Sequence, residues 1–148
     1  LQPFYDDEDA IPLPPNSFPA KKYQQLISGT DNAFKLAKKY DLLFGFGTDT
    51  QGNPALAERQ GAQLAKLVRY FEPWEVLKIA TSRNYQIMKR SGPRDPYPGE
   101  NGVVKEGAYA DLLLVDGNPL ENVNLIADPH KNFVIIMKDG VIYKNTIQ

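Results

Sequence analysis

Apolar residues recur at intervals of three and four between Pro19 and Tyr40, at Tyr23, Leu26, Ile27, Ala33, Phe34, Ala37 and Tyr40, which is the spacing of one helix face. Gly29 lowers the helix propensity of that stretch without breaking its register. The pattern then changes. Leu42 to Phe46 is a short apolar run without helical periodicity, ending at Gly47-Thr48-Asp49, and it predicts a buried strand that delivers polar side chains at its end. A second helix is expected from Ala55 to Phe71, with Leu56, Leu64, Leu67 and Val68 facing inward. Glu72-Pro73-Trp74-Glu75 restarts the chain as a third helix, with proline in the first turn and an acid near the positive end of the helix dipole. Leu77, Ala80, Thr81, Asn84, Ile87 and Met88 follow.

Between Ser91 and Gly102 glycine or proline fills six of twelve positions, so the chain is expected to divide there. Beyond that point the pattern is strand-like at Gly102 to Glu106, Asp111 to Asp116 and Phe133 to Tyr143. The last run is interrupted at Asp139-Gly140, a dipeptide suited to a tight hairpin. Gly117 to Lys131 reads as a polar connector. Helix, strand, helix, helix and then strands alone fit the tail of an α/β domain joined to a small β module, with residues 1–90 in the first part and 91–148 in the second. Leu112 to Val115 and Val134 to Met137 are apolar on consecutive positions, so both faces of those strands require cover. Little else in the last sixty or so residues is left to supply it, so partner strands or helices from outside the chain are expected.

Composition removes several classes of function. Seventeen Lys+Arg against eighteen Asp+Glu leave a net charge of −1, so no basic field exists to hold nucleic acid or an anionic membrane. With no cysteine there is no disulfide, thiolate metal site or cysteine nucleophile, and the choice between cytoplasm and periplasm stays open. The apolar runs are too short to span a bilayer, which predicts a soluble chain. Leu1-Gln-Pro-Phe shows no targeting pattern. Residues 1–19 hold five of the twelve prolines and the acidic run Asp6 to Asp9, which lacks calcium-loop spacing and reads as a solvated loop.

Gly47-Thr48-Asp49-Thr50 is the sharpest chemical feature. A carboxylate at the end of a parallel strand sits where α/β barrels collect catalytic groups, and there it could hold a divalent metal or accept a proton from water. The same residues also suit a helix or turn cap, which on the motif alone is the commoner role. His130, the single histidine, lies in the polar turn Asp128-Pro129-His130-Lys131 and is a poor ligand by itself, since zinc sites draw on several imidazoles or an equivalent donor set. No nucleophile elbow, phosphate loop or dinucleotide fingerprint is present. Tyr23, Phe34, Tyr40, Phe44, Tyr70 and Trp74 are expected to pack in the core.

Four stretches, taken in order, resemble one family. Gly47-Thr48-Asp49 after an apolar run is similar to the eighth barrel strand of the amidohydrolase superfamily, and Leu77-Lys-Ile-Ala-Thr81-Ser-Arg-Asn84 resembles the helix that follows it. Gly102 to Leu120, containing Gly107-Ala-Tyr-Ala110-Asp111-Leu-Leu-Leu-Val-Asp116, looks like the family's C-terminal β-sandwich signature, and Ile136 to Tyr143 like its closing hairpin. The likeness is greatest to the imidazolonepropionase-like and Xaa-Pro dipeptidase-like branch.

The resemblance implies an α/β fold: the C-terminal portion of a (β/α)8 TIM barrel plus strands of a small β-sandwich. Leu1 to Phe4 then corresponds to the end of the seventh strand, Asp111 and the hairpin are structural, and Asp49 is both metal ligand and general base in hydrolysis of amide, cyclic amide or peptide-like C–N bonds. The implied cofactor is a divalent metal, zinc being the expected ion. The family's His-x-His pair, its bridging ligand and the histidines of its middle strands have no counterpart here, so this chain alone is expected to bind no metal and to be inactive. The expected partners are the remaining N-terminal part of the enzyme and a small-molecule or dipeptide-like substrate, and a homo-oligomer is compatible. The competing reading is a non-catalytic interaction module that docks a partner through exposed strand edges.

Overall fold

The computed structural model describes residues 13–50 and 54–147. The expected seventh-strand residues Leu1 to Phe4, the acidic run Asp6 to Asp9 and the loop residues Gly52 and Asn53 lie outside the described residues.

Helix α1 spans Phe18–Lys39. It begins where Ser17 accepts a hydrogen bond from the Ala20 N–H (3.2 Å), and Pro19 fits the first turn, where a missing N–H costs nothing. Phe34 and Thr30 are its buried residues, and the Thr30 hydroxyl donates back to the Leu26 carbonyl (2.8 Å). Tyr40 was expected on the inner face but is 60% exposed, because it is the C-cap residue, off the helical path.

Leu42 to Phe46 enters no strand ladder among the described residues, contrary to the strand expectation. Leu42 is half exposed, whereas Phe44 and Phe46 pack against the core. An apolar sequence supplies side chains for burial, but a ladder also needs a neighbouring strand, and none of the described segments lies beside this one.

The expected second helix forms as two short ones, α2 (Pro54–Glu58) and α3 (Gln60–Ala65), followed by a 3₁₀ turn at Lys66–Arg69. Leu56, Leu64 and Leu67 are buried as read, but Val68 is 45% exposed. The tighter 3₁₀ winding turns residue 68 off the face that an α-helix would have given it. The third helix is continuous from Pro73 to Lys89 but changes winding midway: α4 (Pro73–Lys78), a π turn at Ile79–Arg83, and α5 (Asn84–Lys89). A capping box starts it, with the Glu75 carboxylate accepting from the Glu72 N–H (3.0 Å). Val76 and Ile79 are its fully buried residues, while Ile87 and Met88 are partly exposed.

The strand expected at Gly102 to Glu106 does not form; only an isolated bridge joins Glu100 to Ala108, and Val104 is 87% exposed. Gly102 instead takes a positive φ of 73° and lies so close to the Thr81 peptide that a Cβ there would stand 2.6 Å from its carbonyl. The sheet consists of β1 (Leu112–Val115), β2 (Phe133–Lys138) and β3 (Val141–Asn145), antiparallel in that order. The hairpin is as read: Lys138 pairs with Val141, and Asp139 and Gly140 both have positive φ (50° and 76°), the type I′ geometry that matches strand twist. The Asp111 carboxylate holds that turn by accepting from the Asp139 N–H (2.7 Å).

The connector is less polar in effect than in composition. Its 3₁₀ stretch Val123–Ala127 packs on α3, and Val123 is 1% exposed. The short helix α6 (Pro129–Asn132), capped by Asp128, then leads into β2. One apolar core therefore joins Phe34, Leu64, Leu67, Phe71, Val76 and Ile79 to Val123. An aromatic group lies on one side of it, with Phe34 stacked on Tyr70 (4.4 Å between centroids) and edge-on to Phe71 (5.5 Å). Trp74 is not part of it and is 51% exposed, contrary to expectation. Cross-strand neighbours Leu112, Met137 and Ile142 share one sheet face and Leu113 and Ile136 the other, yet Leu113, Leu114 and Ile142 remain about half exposed. The cover that both faces require is thus not supplied by the described residues.

Candidate active site

The segment Phe44 to Thr50 leaves the aromatic core and ends on the exposed Asp49. Phe44 lies tilted against Phe71, with ring centroids 5.3 Å apart, and Phe46 packs on the same core, so apolar burial fixes the segment's start. Further along, Thr48 is buried, its hydroxyl 3.4 Å from that of Thr50 and donating across 3.4 Å to the Gln60 amide oxygen at the start of α3. Asp49 follows with φ of 51°, the left-handed region that aspartate tolerates better than most residues. Buried Thr48 and a left-handed Asp49 together turn the carboxylate outward.

Helix α2 begins five residues beyond Asp49, and among the described residues no hydrogen bond or ion pair reaches its carboxylate. An unengaged, solvent-facing carboxylate is free to bind a cation or take up a proton.

Among the described residues no group of three or more His, Cys, Asp or Glu side chains comes together around Asp49 or elsewhere. His130 is exposed on α6, where its carbonyl accepts from Lys144 Nζ (2.8 Å), and it joins no such group.

One side chain of the site is less evident from its sequence neighbours than from its contacts. Asn84, at the end of the π turn, accepts from the Phe46 N–H (2.8 Å) and donates through Nδ2 to the Phe46 carbonyl (3.0 Å). Gly45 allows this approach, for a Cβ there would stand 2.1 Å from Asn84 Oδ1. The pattern Thr81-Ser-Arg-Asn84 was legible as part of a helix, but not the π turn that directs its last residue.

Away from this site, Lys89 and Asp95 form an ion pair (3.0 Å) that pins the Gly/Pro-rich loop to α5. The Tyr97 N–H and Lys89 hold the Asp95 carboxyl below the usual carboxylate range, and Asp95 in turn raises the Lys89 ammonium above its usual value. Among the described residues no helix is long and apolar enough to cross a membrane.

No family model matches the chain. An ochratoxinase from Aspergillus niger is 30% identical over 124 residues, which cover 83% of this chain and 24% of that protein. Among solved structures, an amidohydrolase superposes with a TM-score of 0.74 at 28% identity over 97% of this chain and 33% of its own. The crystal structure of the A. niger ochratoxinase gives 0.67 at 26% identity, over 84% and 27%. A prolidase complexed with N-methylphosphonate-L-proline shares the fold with a TM-score of 0.74 at 24% identity, over 96% and 33%. The chain spans about a quarter of the length of the curated relatives it matches. Its mixed helices and three-stranded sheet resemble the C-terminal domain of amidohydrolase structures. With the ordered motifs around Asp49, Asn84 and the Asp139-Gly140 hairpin, this likeness places the chain in the amidohydrolase superfamily.

Proposed function

We propose that the chain is the C-terminal part of a metal-dependent hydrolase of C–N bonds, of the prolidase-like branch, in which Asp49 is a metal ligand and the general base. The single observation that carries the proposal is the outward-facing Asp49 carboxylate, unengaged by any described group, at the end of an apolar segment seated on the core. In this reading residues 1–90 close a (β/α)8 barrel, and Leu42 to Phe46 becomes its last strand once neighbours stand beside it. Residues 91–148 supply strands to a small sandwich, whose other strands cover the half-exposed faces of β1 to β3.

The remaining metal-holding groups would come from the preceding part of the protein. When bound, a divalent ion, zinc in our reading, supplies the Lewis acidity that makes water nucleophilic at neutral pH. Asp49 contributes one carboxylate to hold the ion and accepts the proton of the attacking water. A dipeptide-like amide is the substrate class that the likeness to a prolidase complexed with N-methylphosphonate-L-proline and to an ochratoxinase favours. The test is Asp49→Asn in the full-length protein, assayed by release of free amine from Xaa-Pro dipeptides and other dipeptide-like amides. The amide keeps the shape of the side chain but loses its basicity, so kcat should fall by about 10²-fold or more with folding intact. Activity within about tenfold of the unaltered protein would remove Asp49 from the mechanism.

A further inference from the structure

The segment that carries Asp49 is fixed at Phe46 by a side chain rather than by a strand. Asn84 engages both polar groups of that residue, at 2.8 Å and 3.0 Å, so sliding the segment along its axis or rolling it about that axis breaks at least one bond. Three further features converge on the same contact. The π turn Ile79–Arg83 inserts one residue into the helix and so rotates Asn84 by about 100° from its place in an uninterrupted α-helix. Gly45 leaves room for the amide, since a Cβ would stand 2.1 Å from Asn84 Oδ1. Gly102, at a φ of 73°, seats the loop that follows against Thr81, in the middle of the π turn. Helices rarely widen in this way, and when they do the widened turn often serves a site.

We infer that Asn84 is a positioning residue for Asp49: its amide, directed by the π turn and admitted by Gly45, clamps the Phe46 peptide and sets where the carboxylate three residues later is held. The inference rests on the proposed role of Asp49. Three residues extend at most about 10 Å, so a shift of the Phe46 peptide passes to Asp49 with little slack. Misplacing a reacting group by about 1 Å costs on the order of 10²-fold in rate.

The test uses the full-length protein bearing Asn84→Ala, Gly45→Ala or both, with Asp49→Asn as reference. Kinetics are followed on whichever Xaa-Pro dipeptide or other dipeptide-like amide the unaltered protein hydrolyses, and backbone hydrogen exchange is followed over residues 45–50. Asn84→Ala should lower kcat by about 10²-fold with KM within about threefold, and should speed exchange at Phe46, because the clamp orients the base rather than binding substrate. Gly45→Ala should do the same, since its Cβ displaces the Asn84 amide. The double variant should be no worse than the poorer single one, because removing the Asn84 side chain removes the nearest group that the added Cβ strikes and leaves only the end of the Ile87 side chain, at 2.9 Å, which can turn aside. If Asn84→Ala does not fold, Asn84→Asp serves in its place: it keeps the bond from the Phe46 N–H but sets a carboxylate oxygen against the Phe46 carbonyl where Nδ2 donated, and should likewise lower kcat by about 10²-fold and speed exchange at Phe46. Losses that multiply in the double variant, or unchanged exchange at Phe46, overturn the clamp. A kcat within about twofold in Asn84→Ala, while Asp49→Asn is inactive, overturns this inference and leaves the proposed function standing. An active Asp49→Asn overturns both.

Discussion

Replacing Gly61 by alanine should destabilise the fold, although the same change in most exposed helices stabilises it. Gly61 lies in the first turn of α3, against the 3₁₀ stretch Val123–Ala127. A Cβ there would meet the Ile126 carbonyl oxygen at 2.1 Å and its carbonyl carbon at 3.0 Å. Both are backbone atoms, so no rotamer change relieves the clash, and restoring ordinary contact opens the seam by about 1 Å. A gap of that size forfeits a quarter to a half of the dispersion attraction across it. Leu64, Val123 and Ile126 pack along this seam, and burial of each such side chain contributes about 1.5–3 kcal/mol, so the loss comes to about 2–4 kcal/mol. Alanine's better helix propensity offsets at most about 1 kcal/mol, which leaves a net destabilisation of about 2 kcal/mol. Gly29 provides the control: it is exposed in α1, and nothing described lies within 4 Å of its Cβ position. There alanine should stabilise by up to about 1 kcal/mol. Urea unfolding followed by circular dichroism measures both. In thermal scans Gly61→Ala should lower Tm by about 4–8 °C and Gly29→Ala raise it by about 2–4 °C. Equal or higher stability of Gly61→Ala relative to Gly29→Ala would refute the backbone-contact reasoning.

Two other outcomes follow from local geometry. The Asp95 carboxyl titrates below its ordinary value of 3.8, so its contribution to stability is present above that pH and is lost as pH falls through the lower folded value; Lys89→Met should therefore lower stability at pH 7–8 and leave it little changed at strongly acid pH, so that the acid limb of a stability-against-pH curve becomes shallower, and an unchanged acid limb would mean that Lys89 does not hold that carboxyl down. Gly140→Ala places a Cβ on a residue with φ of 76° and should cost about 1–2 kcal/mol in chemical denaturation, whereas Gly140→Asn, which tolerates that backbone, should cost less than half as much.

Features that depend on neighbours in sequence were legible without coordinates. The Glu72/Glu75 pair starts its helix because a side-chain oxygen three residues from a free N–H reaches it whatever the rest of the molecule does. Asp139-Gly140 makes the hairpin for a similar reason, since both residues tolerate positive φ. Asp49 was legible as an outward carboxylate from its place after an apolar run, and the half-exposed faces of β1 to β3 from consecutive apolar residues with nothing left to cover them. Only the tertiary structure decided that α2 and α3 separate, that Val68 turns outward, that Val123 enters the helical core from a connector of polar composition, and that Leu42 to Phe46 joins no ladder among the described residues. It also decided that a π turn brings Asn84 onto Phe46, 38 residues away in the chain. Such outcomes depend on which distant backbone comes within hydrogen-bonding or van der Waals range. Residue types set local dihedral preference and burial, but a contact across that separation is fixed only when the packing of every intervening element is specified at once.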